Sequence, residues 1–130
     1  MASPYARGNL RSVEDSAARF GFGETQEARF ASDDLGTEQT GVSHHRIKPG
    51  RRQAFGHRHE GAEEIYVVLS GSGRLALDGE VIEVGPMDAI RVSPRVVRAF
   101  EAGEEGLEVL AVGPRRPDDR GEVLSGWWPD

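Results

Sequence analysis

Residues 57–71 read HRHEGAEEIYVVLSG, and the expected fold of the chain follows mainly from the pattern of these residues. Two histidines, His57 and His59, stand two apart, so on an extended strand both side chains point to one face. Glu64 follows at the head of an apolar run that ends at Gly71. A carboxylate at the mouth of a buried strand is costly unless it is paired or metal-bound. Two imidazoles and one carboxylate form a donor set suited to Fe(II), Mn(II), Ni(II) or Zn(II).

Short β-type runs, broken by Gly, Pro and Asp, continue on both sides of this stretch. The pair Asp78-Gly79 lies between two alternating runs and predicts a two-residue hairpin. No window after residue 40 keeps a 3.6-residue period, so helices are not expected there. The spacing is typical of a β-sandwich or a small barrel. The predicted strands span 41–47, 53–59, 64–69, 74–77, 80–84, 88–92, 96–101 and 107–112.

The two ends of the chain differ from this middle part. Residues 1–39 are polar and are expected to form an N-terminal arm, with one short helix over 13–19 that Ser12 caps and an edge strand over 27–31. Residues 40–113 would form the barrel. Residues 114–130 would form a C-terminal tail that packs on the barrel.

The composition of the 130-residue chain bounds its class. Its length suits one domain, and the absence of cysteine excludes a disulfide scaffold, a cysteine-ligated zinc site and thiol catalysis. With 16 basic and 22 acidic residues the net charge is −6, which argues against general nucleic-acid binding. No apolar run approaches the ~20 residues of a membrane helix, and no signal-peptide pattern opens the chain. We therefore expect a cytoplasmic protein with no nucleic-acid or membrane partner.

The spacing of His57, His59, Glu64 and Gly71 resembles the first motif of the cupin superfamily, G-x5-H-x-H-x3–4-E-x6-G. The upstream glycine, at position 50, lies one residue farther from the first histidine than in that pattern. Residues 85–94, GPMDAIRVSP, resemble the opening of the second cupin motif. The resemblance covers about residues 40–112. It implies an all-β fold, a jelly-roll barrel (a double-stranded β-helix) with a short N-terminal helical or extended arm, and a metal site inside the barrel.

The second motif departs from the family pattern at Arg98, where the resemblance places a third histidine ligand. Arginine is always protonated and has no lone pair to give a metal. At about 5 Å from a divalent cation, its charge would be repelled by roughly 6–7 kcal/mol at an effective dielectric of about 20. Three arrangements avoid that cost: Arg98 points away, an anionic ligand lies between it and the metal, or Arg98 pairs with Glu64 and no metal binds. The first two leave an open metal centre, and the third leaves a metal-free pocket.

Further residues are predicted to line the pocket by alternation with the candidate ligands. His44 and His45 are consecutive, so at most one of them faces the barrel interior, where it would serve as a replacement ligand or a general base. The residues assigned to substrate binding are Arg98, Tyr66, Gln53 and Phe100.

The resemblance leaves two functional classes open. In the first, the chain binds Fe, Mn, Ni or Zn and acts as a dioxygenase or isomerase on a small carboxylate or sugar-type substrate, whose anionic group Arg98 anchors. In the second, it is a non-catalytic, metal-free ligand-binding or sensor barrel with Arg98 at the ligand position. If the role is chiefly structural, the same residues are a polar strand and its solvated turn. Exposed sheet edges favour a homodimer.

Overall fold

A computed structural model describes residues 3–126 and 128–130, in which eight β-strands form one sheet that curls into a half-barrel. The predicted all-β fold is confirmed. The strands are β1 (Gln26–Phe30), β2 (Thr40–Ile47), β3 (Gly56–Arg58), β4 (Glu64–Leu77), β5 (Glu80–Val84), β6 (Ala89–Val92), β7 (Arg98–Pro114) and β8 (Glu122–Leu124). The short helical segments are a 3₁₀ turn (Leu10–Ser12), α1 (Ser16–Arg19) and α2 (Ser32–Leu35).

The order of pairing brings the two predicted motifs together. The main path runs β1-β2-β7-β3-β8, and β4 pairs with β5, β6 and β7. All these pairs are antiparallel. Because β3 lies between β7 and β8, His57 stands opposite Arg98 on one side and Val123 on the other. The first-motif histidine therefore lies beside the second-motif arginine.

Two predicted strand breaks are irregularities inside long strands. The predicted strands 64–69 and 74–77 form one strand, β4. The predicted strands 96–101 and 107–112 are likewise joined in β7, which begins two residues later than predicted, at Arg98. The register between β4 and β7 shifts between Gly71 and Gly73. A Cβ on either glycine would meet a backbone carbonyl of β7. Glycine here permits a close approach of two backbones and does not end the strand.

The predicted helix over 13–19 begins later and is shorter. Asp15, not Ser12, caps α1 by accepting the N–H of Ala17 at 3.0 Å. The same carboxylate oxygen accepts the N–H of Ala28 in β1 at 2.9 Å. Asp15 therefore ties the helix to the sheet, which is a tertiary contact that the local sequence does not indicate.

Other local predictions have mixed outcomes. The Asp78-Gly79 hairpin is confirmed: it joins β4 to β5, and both residues have positive φ values, 50° and 87°. The edge strand predicted over 27–31 is β1, displaced by one residue. The strand predicted over 53–59 is too long, because only Gly56–Arg58 are strand and the N–H of His59 donates to the Pro94 carbonyl at 2.7 Å.

Strands from outside residues 40–113 belong to the same sheet. β1 pairs with β2, and β8 pairs with β3. The segments before and after the predicted barrel thus extend the sheet on either side of the candidate site, while the division into arm, barrel and tail stays a prediction. In the described ranges, no helix combines the length and apolar character needed to cross a membrane.

The hydrophobic core lies between β4, β7 and their neighbours. Alternation along these strands turns every second side chain inward. The buried core consists of Ile47, Tyr66, Val68, Leu75, Val84, Val92, Phe100, Ala102, Leu107, Val109 and Ala111. Tyr66 and Phe100 belong to this core and also line the cavity described next.

Candidate metal centre and cavity

The three candidate metal ligands converge. β3 supplies His57, the loop after it supplies His59, and β4 begins with Glu64. One ligand atom from each lies within 4.8 Å of the other two. Each histidine Nε2 is 3.5 Å from Glu64 Oε1, and the two rings meet edge to face with centroids 5.2 Å apart. The residues that the sequence placed at one metal therefore share one small region of space.

Asp119, from the segment before β8, fixes the loop that carries His59. Its carboxylate accepts the backbone N–H groups of Glu60, Gly61 and Ala62 at 2.9–3.0 Å. The bond from Gly61 is the largest of the effects that lower the pKa of Asp119 to about 2. Asp119 Oδ1 also lies 3.3 Å from Nδ1 of His59. The contact holds the ring by its Nδ1 atom and turns Nε2 toward Glu64, where the hydrogen bond with that carboxylate raises the pKa of His59.

Glu64 Oε1 is the centre of a hydrogen-bond network. It accepts the hydroxyl hydrogen of Tyr66 at 2.7 Å, in addition to its contacts with His57 and His59. Burial opposes ionisation of Glu64, but the hydrogen bonds from the two histidines and the tyrosine outweigh it and hold the pKa of that carboxyl well below its usual range. Burial, together with the charge of Glu64, raises the pKa of Tyr66 well above its ordinary value. The carboxylate is therefore ionised and available as a ligand, and the tyrosine is a neutral donor.

Arg98 lies against Glu64 and does not line the cavity. Its side chain is 1% exposed, and its Nη2 lies 3.4 Å from Glu64 Oε1. Nη1 donates to the carbonyls of Pro94 at 3.0 Å and Val96 at 2.7 Å. Of the three predicted arrangements, this geometry matches the pairing of Arg98 with Glu64. The predicted contact of Arg98 with a substrate stays a prediction.

A cavity of about 340 Å³ adjoins the three candidate ligands, and His57, His59 and Glu64 form part of its wall. Gln53, Tyr66 and Phe100 also lie in the wall, and their predicted contact with a substrate stays a prediction. Much of the remaining lining is aromatic. All five phenylalanines of the chain line this cavity: Phe20, Phe22, Phe30, Phe55 and Phe100.

The consecutive histidines of β2 face opposite ways, as alternation requires. His45 lines the cavity, and its Nε2 lies 2.8 Å from the Ser43 hydroxyl. His44 points to the other face, where its Nε2 lies 3.1 Å from Glu108 Oε1. Burial lowers the pKa of His45 to about 4, so its imidazole is neutral at pH 7. His45 lies outside the group whose ligand atoms are within 4.8 Å of one another.

The family model of the cupin domain matches residues 43–113, more than half of the chain. This region contains the three candidate ligands and Arg98. This chain is a cupin. The match confirms the resemblance in the sequence, and the all-β jelly-roll expectation is confirmed with it.

The similarity to solved structures extends beyond the matched domain of this cupin. The polyketide cyclase RemF from Streptomyces resistomycificus has a TM-score of 0.72 and 26% identity, covering 95% of this chain and 89% of RemF. The cupin protein BF4112 from Bacteroides fragilis has a TM-score of 0.70 and 24% identity, covering 96% of this chain and 88% of its own, and this similarity shows the fold alone.

Sequence similarity to a curated protein is shorter. The uncharacterised protein MJ1618 of Methanocaldococcus jannaschii is 35% identical over 65 residues, which is 49% of this chain. The aligned part covers 52% of MJ1618, so the cupin matches about half the length of that relative.

Sequence reasoning missed the residues that come from outside the family region. Asp119 is far from His59 along the chain, and no spacing rule joins them. Gln26, Phe20 and Phe22 lie in the N-terminal segment, which the sequence indicated only as a polar arm. One signal was present: three of the five phenylalanines of the chain lie in this segment, and such large apolar side chains need a place to pack.

Proposed function

We propose that this cupin holds a divalent transition metal (Fe, Mn, Ni or Zn) through His57, His59 and Glu64 and acts on a small molecule in the adjoining cavity. The observation that carries the proposal is the convergence of two imidazole nitrogens and an ionised carboxylate in the wall of that cavity. The donor set fits such a metal, because the Asp119 contact holds His59 by Nδ1 and turns its Nε2 atom toward Glu64, where a metal would replace the shared proton. When bound, the metal would polarise a substrate oxygen as a Lewis acid.

The groups around the cavity favour proton-transfer chemistry, such as an isomerisation or a cyclisation next to a carbonyl. His45 presents a neutral imidazole that can accept a proton, and much of the wall around it is aromatic. The similarity to the polyketide cyclase RemF, at 26% identity over 95% of this chain, supports this class. The predicted oxygenase activity remains the alternative for the same metal centre, because three protein ligands leave positions open.

A metal-free binding function is the second candidate, and the ion pair of Arg98 with Glu64 favours it. The buried guanidinium neutralises the carboxylate and adds a positive charge next to the metal position. Metal affinity is therefore expected to be lower than that of a centre with a third histidine. If the metal-free function is correct, the cavity binds its ligand with no change on addition of metal.

Elemental analysis of the purified protein before and after chelation separates the two candidates. Stoichiometric Fe, Mn, Ni or Zn in the wild type, lost in His57→Ala with the barrel still folded, is the expected result. His44→Ala is the matched control, since His44 faces away from the cavity and should leave the metal content unchanged. Absence of metal even after reconstitution, or equal metal in His57→Ala, would overturn the metal centre.

A further inference from the structure

The aromatic lining of the cavity contains phenylalanines from distant parts of the chain. Phe20, Phe22 and Phe30 come from the N-terminal segment, Phe55 precedes β3, and Phe100 lies in β7. The rings of Phe22 and Phe55 meet edge to face at 5.6 Å, and those of Tyr66 and Phe100 at 5.2 Å. Phe20 and Phe30 are still 67% and 56% exposed, so they leave apolar surface uncovered. Walls of this kind favour a planar aromatic guest over a hydrated sugar.

Two glutamines supply fixed polar groups in this apolar wall. Gln26 Oε1 accepts the N–H of Ala54, and Gln53 Oε1 accepts the N–H of Phe100, both at 2.9 Å. A backbone N–H can only donate, so these bonds fix which branch of each amide is the oxygen. Within the described part of the chain, neither NH₂ group donates to an acceptor. Both residues line the cavity, so each presents a hydrogen-bond donor to a ligand.

The charge of the lining points to a neutral ligand. Arg98 lies behind Glu64, outside the lining, and among the described residues Arg120 is the one arginine or lysine in the wall. Arg120 is exposed, so water screens its charge. Away from the metal position, a phosphate or carboxylate in the cavity would therefore lose its hydration without a buried cationic side chain to replace it.

We infer that the ligand of this cavity is a neutral, planar aromatic carbonyl compound whose oxygens accept hydrogen bonds from the NH₂ groups of Gln26 and Gln53. This inference rests on the proposed function in using the same cavity, and it replaces the anionic ligand expected from the sequence. The phenylalanines select the ring system, and the two glutamines select its oxygens. In the metal-bound protein, a further oxygen of the same ligand would face His57, His59 and Glu64.

The test compares two probes of the same shape, 9-fluorenone and fluorene, which differ in that one has a carbonyl oxygen and the other a CH₂ group. Binding of each to the full-length protein is measured by calorimetry with a chelator present, so the result does not depend on the metal. The expected result is that fluorenone binds about tenfold more tightly than fluorene, because each amide hydrogen bond adds a small net gain. Equal binding of the two probes, or tighter binding of glucose 6-phosphate than of fluorenone, would overturn the inference.

Substitutions of the two glutamines test whether their NH₂ groups cause the preference for fluorenone over fluorene. Gln26→Glu and Gln53→Glu keep an oxygen for the backbone N–H and lose the NH₂ group. At pH 8 the variant at the glutamine that reaches the single carbonyl oxygen should reduce the preference for fluorenone, and the double variant should abolish it. Gln39→Glu is the matched control at an exposed position and should retain the full preference. Gln26→Met and Gln53→Met serve if the carboxylate variants do not fold. An undiminished preference in folded Gln26 and Gln53 variants would contradict the assignment.

The two proposals fail in different ways. Loss of the metal centre alone would leave the fluorenone preference intact in the presence of chelator. Loss of the ligand inference alone would leave stoichiometric metal bound by His57, His59 and Glu64, with no difference between fluorenone and fluorene.

Discussion

Asp119 acts on the candidate metal centre through the loop that it holds. Three backbone N–H groups and the Nδ1 atom of His59 surround its carboxylate, so one side chain fixes both the loop and the ring. Such partners of metal ligands orient the imidazole and select its tautomer. A change at Asp119 should therefore affect metal binding although the residue does not itself ligate.

Asp119→Asn is expected to weaken metal binding by about 10–100-fold, because its amide NH₂ opposes at least one of the three backbone N–H donors and so displaces the loop that carries His59. Metal titration followed by calorimetry measures the change. Asp118→Asn is the matched control, since Asp118 is an exposed neighbour and should have wild-type affinity. Equal affinities in the two variants would show that the Asp119 contact does not orient the ligand.

Arg98→His is expected to raise metal affinity at least tenfold. The substitution removes a buried positive charge beside Glu64 and places an imidazole opposite His57, where the cupin pattern has its third histidine. Arg98→Gln removes the charge without adding a ligand and is the control. The same metal affinity in both variants would mean that the new imidazole does not reach the metal.

The candidate ligands could be predicted because they are local. His57, His59 and Glu64 lie within eight residues of one another, so the strand period and the motif spacing determine which of their side chains meet. The contact of Asp119 with His59 depends instead on how the last strand returns to the sheet. The position of Arg98 was predicted from the second motif, but its pairing with Glu64 was one of three open arrangements until the geometry was known.

Among the elements, β4 and β7 show how glycine can mislead a prediction. Gly71 and Gly73 interrupt an apolar alternation, and glycine in such a position marks either a turn or a bulge. Both give the same local pattern, and only the pairing with β7 distinguishes them. The hairpin at Asp78-Gly79 was predictable because both of its central residues adopt positive φ, which few residue pairs do.

Gly71→Ala is expected to destabilise the protein by about 3–5 kcal/mol, because the residue has a φ of 79° and an added Cβ would meet the Gly106 carbonyl. Thermal unfolding should show a fall in Tm of roughly 10 °C or more. Gly85→Ala is the control, since no atom lies within 4 Å of its added Cβ. A wild-type Tm for Gly71→Ala would contradict the prediction, because it would mean that β4 accommodates the added Cβ without loss of stability.

On the scale of the whole molecule, His45 links stability to pH. Its pKa falls from 6.5 in the unfolded chain to about 4 in the folded protein, because burial opposes protonation. The unfolded state therefore takes up the proton first as the pH falls. This residue alone should lower the free energy of unfolding between pH 6.5 and about pH 4, by up to about 3 kcal/mol, with no further loss below that range.

Urea unfolding at pH 7, 5.5 and 4.5 measures this dependence in the wild type and in His45→Gln. The variant should lose less stability on acidification than the wild type. His44→Gln keeps the cavity histidine and should retain the loss that His45 causes. Parallel stability curves for the wild type and His45→Gln would show that His45 is protonated as readily in the folded protein as in the unfolded chain.

The fold class could be predicted from the sequence, but the pairing of the outer strands and the oligomeric state could not. Short runs with frequent breaks and the motif spacing were sufficient for an all-β jelly-roll cupin. The participation of β1 and β8 in the sheet depends on pairing between distant segments, for which the short patterns 27–31 and 122–124 carry little information. A homodimer and a cytoplasmic location stay predictions.

The cavity wall and the candidate metal ligands come from different parts of the chain, which has a consequence for evolution. The candidate ligands lie within residues 43–113, whereas Phe20, Phe22, Phe30 and Gln26 lie before that region. Substitutions in this leading segment should therefore change which ligand binds while the candidate metal ligands stay the same. Ligand preference and reaction chemistry can therefore evolve separately in this chain. A chimera that carries this leading segment on another cupin domain should acquire the ligand preference of this protein.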